Sequence, residues 1–290
     1  MKKPQWIFLL AACLLTLLVY FFIRNVPEKK PVDNQQHSAD DGHDHSTELK
    51  VLSFDTILLK AKGQLTVSQK NWLSEQEKLA VSSSNEQKME ALRQLAGFWK
   101  DSAGIFEPWA WYLSESARLE NSEKSLTFAA RLFLENLQND GLPERRVWKA
   151  LQAKDLFERS LKINPANDSA KVGLGGCYLF GNISPNPMEG IAKIREVTDK
   201  DSTNVYAQMM LVKGSVFSGQ FDKAISRLET VLRTEPGNLE ALLMMADLFE
   251  KKKDLRSAIG WYEKSLAHIS QPELKAAVTQ RLAELKKEDK

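Results

Sequence analysis

Residues 205–238 read VYAQMMLVKGSVFSGQFDKAISRLETVLRTEPGN, and this stretch decides the fold. Its apolar residues recur at steps of three and four, which is the spacing of an amphipathic helix. Within it, GQFDKA at 219–224 supplies a turn and the start of a second helix, and TEPGN at 234–238 supplies a turn to the next segment. The stretch therefore predicts one helix–turn–helix unit.

The same unit recurs along the chain with a nearly constant period. Three sets of positions keep one register, with successive spacings of 37, 34 and 34 residues: Ala153, Gly190, Ala224 and Ala258; Phe157, Ile194, Leu228 and Tyr262; and Pro165, Ser202, Pro236 and Ser270. The extra residues of the first interval fall around 184–187, SPNP. Because no sustained alternation of apolar and polar residues follows residue 51, the sequence predicts an all-α array of repeats.

These positions resemble the tetratricopeptide repeat (TPR), a unit of about 34 residues with small residues where its two helices touch and a proline at its end. The resemblance implies a TPR-type helix-turn-helix solenoid with about five repeats over 86–271, of which those in 168–271 are the clearest. We expect 51–85 to form lead-in helices packed on the first repeat, or alternatively a stalk or an oligomerisation element. A C-terminal capping helix over 272–290 is expected to cover the last open edge.

The N-terminus predicts a membrane anchor. After a short tail, 1–5, residues 6–23 read WIFLLAACLLTLLVYFFI without a charge, and a helix of that length spans roughly 27 Å, close to the ~30 Å hydrocarbon core. A cleaved signal peptide is disfavoured because no small-residue cleavage motif follows the apolar run. LAAC at 10–13 resembles the lipobox of bacterial lipoproteins, but the chain stays apolar after Cys13. We favour a signal-anchor, and lipidation of Cys13 stays open.

Charged residues on both sides of the apolar run bear on the orientation of this anchor. Lys2 and Lys3 are balanced by Arg24, Lys29 and Lys30 on the other side of the apolar run. A five-residue tail with two lysines is more readily retained in the cytosol than translocated. We therefore expect a single-pass protein of the bacterial inner membrane whose C-terminal domain is periplasmic.

Residues 24–50, RNVPEKKPVDNQQHSADDGHDHSTELK, lack the apolar side chains of a core and predict a flexible, disordered linker. His37, His43 and His45 stand among its aspartates, a composition that binds Zn²⁺, Cu²⁺ or Ni²⁺ weakly. A polar spacer is the favoured interpretation, because wrapping a metal orders the segment at an entropic cost. Metal binding by these three histidines remains the alternative.

Charge and motifs exclude several classes of function. Lys plus Arg number 40 against 38 for Asp plus Glu, so no basic field favours nucleic acid. The chain contains no P-loop, G-x-G-x-x-G, H-E-x-x-H or G-x-S-x-G motif. His268 is the one histidine after the linker, and Cys177 falls where the repeat needs a small buried residue. We therefore expect that the protein is not an enzyme and that it binds no cofactor, apart from weak metal binding by the linker.

The resemblance also implies a groove lined by the first helix of each repeat, where peptides or partner helices bind. Its family positions fall on Val172, Gly176 and Leu179 in one repeat, on Tyr206, Met209, Lys213 and Val216 in the next, and on Leu243, Asp247 and Glu250 in the last. These positions are mixed in character and form no dense cationic clamp.

The whole chain is similar to bacterial membrane-anchored periplasmic TPR proteins with one transmembrane helix. This similarity implies a non-catalytic scaffold that binds protein or peptide clients in the cell envelope, with self-association left open. The alternative function is envelope metal handling or sensing by the linker histidines.

Overall fold

A computed structural model describes residues 52–82 and 84–289, and these contain thirteen α-helices, one π-helical turn and no β-strand. The helices are α1 Phe54–Gly63, α2 Val67–Ser82, α3 Asn85–Gly97, α4 Phe106–Glu120, α5 Glu123–Leu137, α6 Pro143–Ile163, α7 Asp168–Phe180, α8 Met188–Lys200, α9 Val205–Phe217, α10 Phe221–Thr234, α11 Leu239–Lys251, α12 Leu255–Leu266 and α13 Pro272–Glu288. The predicted all-α fold class is confirmed.

The helices pack in successive pairs, which makes the array a TPR-type solenoid. α3 packs with α4, α5 with α6, α7 with α8, α9 with α10 and α11 with α12, and each pair also contacts the next. The first helices of neighbouring pairs touch directly as well, because α7 contacts both α5 and α9. α13 follows the fifth pair and buries Val278, Leu282 and Leu285 in the apolar cluster that it shares with α11 and α12.

Asparagine side chains begin the first helices of the last three pairs. The Oδ1 atoms of Asn167, Asn204 and Asn238 accept hydrogen bonds from backbone N–H groups three residues later, at 2.9, 3.0 and 3.0 Å. Each bond satisfies one of the N–H groups that a helix start leaves without a partner. The spacing of these caps therefore fixes where each repeat begins.

Small residues set the distance between the two helices of a pair. A Cβ atom added to Gly190 would lie 2.3 Å from the carbonyl oxygen of Gly175, so the backbones of α7 and α8 touch at this point. Ala224 occupies the equivalent position in the next repeat and is fully buried. This contact explains why the periodic position holds only Ala or Gly.

The lead-in helices pack against the first pair. Phe54 at the start of α1 stacks on Trp111 of α4 with ring centroids 4.2 Å apart. Glu77 of α2 accepts hydrogen bonds from the Tyr112 hydroxyl at 2.9 Å and from Lys62 of α1 at 2.7 Å. α1 and α2 are thus joined to α4 by ring stacking and by a shared carboxylate.

The predicted N-terminal tail, 1–5, the transmembrane helix, 6–23, and the linker, 24–50, lie outside the described residues. Among the helices that the structure does describe, none combines the length and the apolar composition needed to cross a bilayer.

Candidate partner-binding groove

Two adjoining cavities lie along the first helices of the second to fifth pairs, and together they are called the groove. The larger, of about 770 Å³, lies at the C-terminal ends of α5, α7 and α9 and is called the turn pocket. The smaller, of about 520 Å³, lies between α5, α9 and the start of α11. Gln138 and Lys213 line both cavities, so the groove is continuous across them.

Five of the ten residues predicted for the groove line it. Leu179, Lys213 and Val216 border the turn pocket. Tyr206, Met209 and again Lys213 border the smaller cavity. The structure therefore brings the predicted positions of α9 together with one predicted position of α7.

The structure buries Val172 and Gly176, two of the positions predicted for the groove. Val172 is 0 % exposed, and a Cβ atom at Gly176 would lie 3.1 Å from Leu134 of α5 and 3.1 Å from Met210 of α9. Both residues sit where α7 packs against its neighbouring first helices, and this packing leaves them no surface to offer a partner.

The three predicted positions of α11 are engaged by helices that follow it. Asp247 and Glu250 accept hydrogen bonds from the Tyr262 hydroxyl at 2.6 and 3.2 Å, and Glu250 also accepts from Arg281 of α13 at 2.5 Å. Burial and the two carboxylates raise the pKa of Tyr262, and the bond from Arg281 lowers the pKa of Glu250. Leu243 packs on the apolar cluster beneath α13.

The wall of the turn pocket carries an aromatic pair, in which Phe180 packs against the apolar core and Phe217 is left exposed. The rings of Phe180 and Phe217 meet edge to face, with centroids 6.3 Å apart. Phe217 is 79 % exposed, which is a large apolar surface to leave in water. Leu179 and Val216 extend the same apolar wall.

The charged groups of the turn pocket are both cations. Among the described residues that line it, Arg146 and Lys213 are charged and none is Asp or Glu. Lys213 pairs with the exposed Glu240 at 2.9 Å. Arg146 donates from Nη2 to the backbone carbonyl of Asp140 at 2.8 Å, while its Nε has no hydrogen-bond partner among the described residues.

A buried ionic cluster holds the turn that precedes Arg146. Lys149 Nζ lies 2.6 Å from Asp140 Oδ2 and 2.8 Å from Glu107 Oε1, and the Lys149 and Asp140 side chains are 2 % and 0 % exposed. Arg145 donates to Asp140 at 2.5 and 2.8 Å. Burial opposes the ionisation of Asp140, but the hydrogen bonds from Arg145 and Lys149 outweigh it and hold its pKa well below the usual range.

Arg146, Phe180 and Phe217 are groove residues that the repeat register does not predict. They lie at helix ends or just after a turn, outside the central first-helix positions where the resemblance places the groove. The signal that points to them is the longer first repeat interval, since its extra residues enlarge the turn beside the cavity.

No metal or nucleophile site is apparent in the described part of the chain. None of its His, Cys, Asp and Glu residues form a group of three or more arranged to hold a metal ion, and His37, His43 and His45 lie outside it. Cys177 is fully buried, and that burial raises the pKa of its thiol. His268 is exposed at the end of the fifth pair.

Comparison with known proteins agrees with the repeat architecture. Residues 218–281 match the family model described as Tetratricopeptide repeat. The match confirms the predicted resemblance to the tetratricopeptide repeat over this segment, which overlaps the clearest predicted repeats. No curated protein sequence matches it.

Solved structures that are similar to this chain include two TPR proteins and a type IV pilus biogenesis factor. A thermophilic TPR protein from Thermus thermophilus is 14% identical over 68% of this chain and 98% of its own, with a TM-score of 0.48. PilW, a widely conserved type IV pilus biogenesis factor, is 17% identical over 69% and 86%, with a TM-score of 0.46. YrrB, a TPR protein with an unusual peptide-binding site, is 14% identical over 68% and 98%, with a TM-score of 0.40.

Proposed function

We propose that this protein is a non-catalytic scaffold that holds segments of partner proteins in its groove. The observation that carries the proposal is the turn pocket, where the 79 % exposed Phe217 rests on Phe180 between the ends of successive first helices. Full burial of one such side chain is worth about 1.5–3 kcal/mol, and a partner that covers it gains that free energy. The rest of the array supplies rigid helices that fix the pocket.

The proposal extends to the place where the scaffold works. The uncharged run at 6–23 supports an anchor in a bacterial inner membrane, and Lys2 and Lys3 favour retention of the N-terminus in the cytosol. The repeats would then bind their partners in the periplasm, as an adaptor of the cell envelope.

Site-specific photo-crosslinking in intact cells of the native host tests the groove. A benzoylphenylalanine replaces Phe217 in the turn pocket or, as a matched control, Glu229, which is exposed on the second helix α10. We expect discrete adducts of defined mass from position 217 and none of the same mass from position 229. Identical adduct patterns, or none at either position, would contradict a partner-binding groove.

Protease accessibility tests the topology. Protease added to spheroplasts with sealed inner membranes is expected to digest the repeats while a cytosolic marker stays intact. Protection of the repeats until the membrane is lysed would place them in the cytosol and overturn the periplasmic assignment.

A further inference from the structure

The geometry points to a more specific ligand for the turn pocket: an extended peptide segment in which a bulky apolar side chain lies next to a carboxylate. This inference rests on the proposed function and adds the chemistry of the partner.

The turn pocket is lined by two turns that are longer than those of the last two pairs. The pairs α9–α10 and α11–α12 are joined by three-residue turns, 218–220 and 252–254. The corresponding turns 138–142 and 181–187 have five and seven residues, and both line the same cavity. The pocket is therefore bordered by both enlarged turns.

The first enlarged turn, and the first residue of the second, are held by contacts within the array. The first is held by the bonds from Lys149 and Arg145 to Asp140. The second packs closely on α6, since a Cβ atom at Gly181 would lie 2.2 Å from Cβ of Ala150. A pre-formed pocket loses little conformational entropy on binding, which favours recognition of a specific ligand.

Three side-chain amides of the pocket are available to bond to the backbone of an extended ligand. Gln138, Asn139 and Asn182 line the pocket, and none of them donates or accepts a side-chain hydrogen bond within residues 52–82 and 84–289. An amide offers both donors and an acceptor, which match the N–H and C=O groups of a peptide backbone. A helical ligand has already paired those groups internally, whereas an extended chain leaves them open.

The positive charge of the pocket favours a ligand with an acidic side chain. Arg146 and Lys213 face a lining in which the described residues include no carboxylate. The Lys213–Glu240 pair is at the surface, with side chains 32 % and 56 % exposed, so a ligand carboxylate can replace Glu240 at little cost. An acidic side chain of the ligand is placed to meet these two cations, while the apolar side chain beside it covers Phe217.

Fluorescence anisotropy with three labelled octapeptides tests this assignment on the full chain in detergent micelles. The peptides have blocked ends and alternate Phe or Leu with Asp, with Asn or with Lys. We expect the Asp peptide to bind at least tenfold more tightly than the Asn peptide, and the Lys peptide to bind most weakly. Equal affinity for the Asp and Asn peptides would overturn the role of charge.

Two arginine variants locate the effect. R146Q is expected to remove most of the Asp-over-Asn preference, whereas R233Q, at an exposed arginine on α10, keeps it. Circular dichroism checks that both variants fold. Retention of the full preference by R146Q would place the acidic site elsewhere and refute the assignment.

Two further measurements separate the alternatives. A stapled helical form of the Asp peptide is expected to bind at least tenfold more weakly than the linear form, and tighter binding of the helix would refute an extended ligand. The sedimentation coefficients of the full-length wild type and of F217S are also compared. A difference between them would show that a second copy of the chain occupies the pocket, and would refute the peptide assignment. Crosslinked adducts at position 217 without a preference for the Asp peptide would refute this inference and leave the proposed function standing. The absence of both the adducts and the preference would refute the proposed function as well.

Discussion

Replacing Lys149 by Met is expected to lower the free energy of unfolding by about 3 kcal/mol, within the ~3–5 kcal/mol that breaking a buried ion pair costs. Lys149 is 2 % exposed, and its ammonium group lies 2.6 Å from Asp140 and 2.8 Å from Glu107. K149M keeps an unbranched chain in that space but removes the buried one of the two cations that both carboxylates contact, the other being Arg145. The lower end of the range applies because Arg145 still donates to Asp140.

Lys154 supplies the matched control on the same helix. It pairs with Glu158 at 2.8 Å, but the two side chains are 31 % and 41 % exposed. Exposed pairs contribute about 0–1 kcal/mol, so K154M is expected to cost under ~1 kcal/mol. Urea denaturation of the full chain in detergent, followed by circular dichroism, measures both variants. Equal losses in K149M and K154M would refute the argument from burial.

The pH dependence of that loss is a second readout of the same reasoning. The pKa of Asp140 is lower in the folded chain than in the unfolded chain, where it is about 3.9. Such a group stabilises the fold fully above the unfolded pKa, and its contribution is lost as the pH falls towards the folded pKa. The difference between wild type and K149M should therefore be full at pH 7 and shrink below about pH 4. A difference that stays constant down to pH 2.5 would contradict an ionic origin.

Three other changes test the repeats and the linker. Gly190→Ala places a Cβ atom 2.3 Å from the Gly175 carbonyl and should cost ~1–3 kcal/mol in thermal unfolding, whereas Gly260→Ala in α12 meets no atom within 4 Å and should stabilise by up to ~1 kcal/mol. Asn238→Ala removes the cap of α11 and should cost about 1 kcal/mol in urea titration. A peptide of residues 33–48 should bind Zn²⁺ and Cu²⁺ only at millimolar concentration by calorimetry, because coordination must order it; micromolar binding would support metal handling instead.

The repeat register can be predicted from the sequence because contacts between residues close in the chain set it. The position shared by Gly190 and Ala224 tolerates only a small residue where two helices touch, and Leu228 one turn later is fully buried. Asn204 and Asn238 start their helices through bonds that span three residues. Such short-range requirements recur once per repeat, so the period reveals them.

The groove is harder to predict from the sequence, because contacts between residues far apart in the chain shape it. Val172 and Gly176 share a helix with Leu179, but packing by α5 and α9 buries the first two and leaves the third at the cavity. Arg146 bonds to the carbonyl of Asp140 in the preceding turn, and this turn is fixed by the bonds from Lys149 and Arg145 to the Asp140 carboxylate. These contacts do not recur once per repeat, so the repeat period does not predict them.

The ionic cluster is better explained by geometry than by stability. A buried ion pair replaced by well-packed apolar residues often leaves a fold as stable or more stable, so Lys149 and Asp140 are not needed merely to hold α5 against α6. Asp140 also offers its backbone carbonyl to Arg146, while its carboxylate accepts from Lys149 and Arg145. One residue therefore sets the path of the enlarged turn and the direction of the cation that follows it. An apolar replacement would keep a backbone carbonyl at position 140, but it would remove the bonds from Lys149 and Arg145 that fix the position of this carbonyl and so of Arg146.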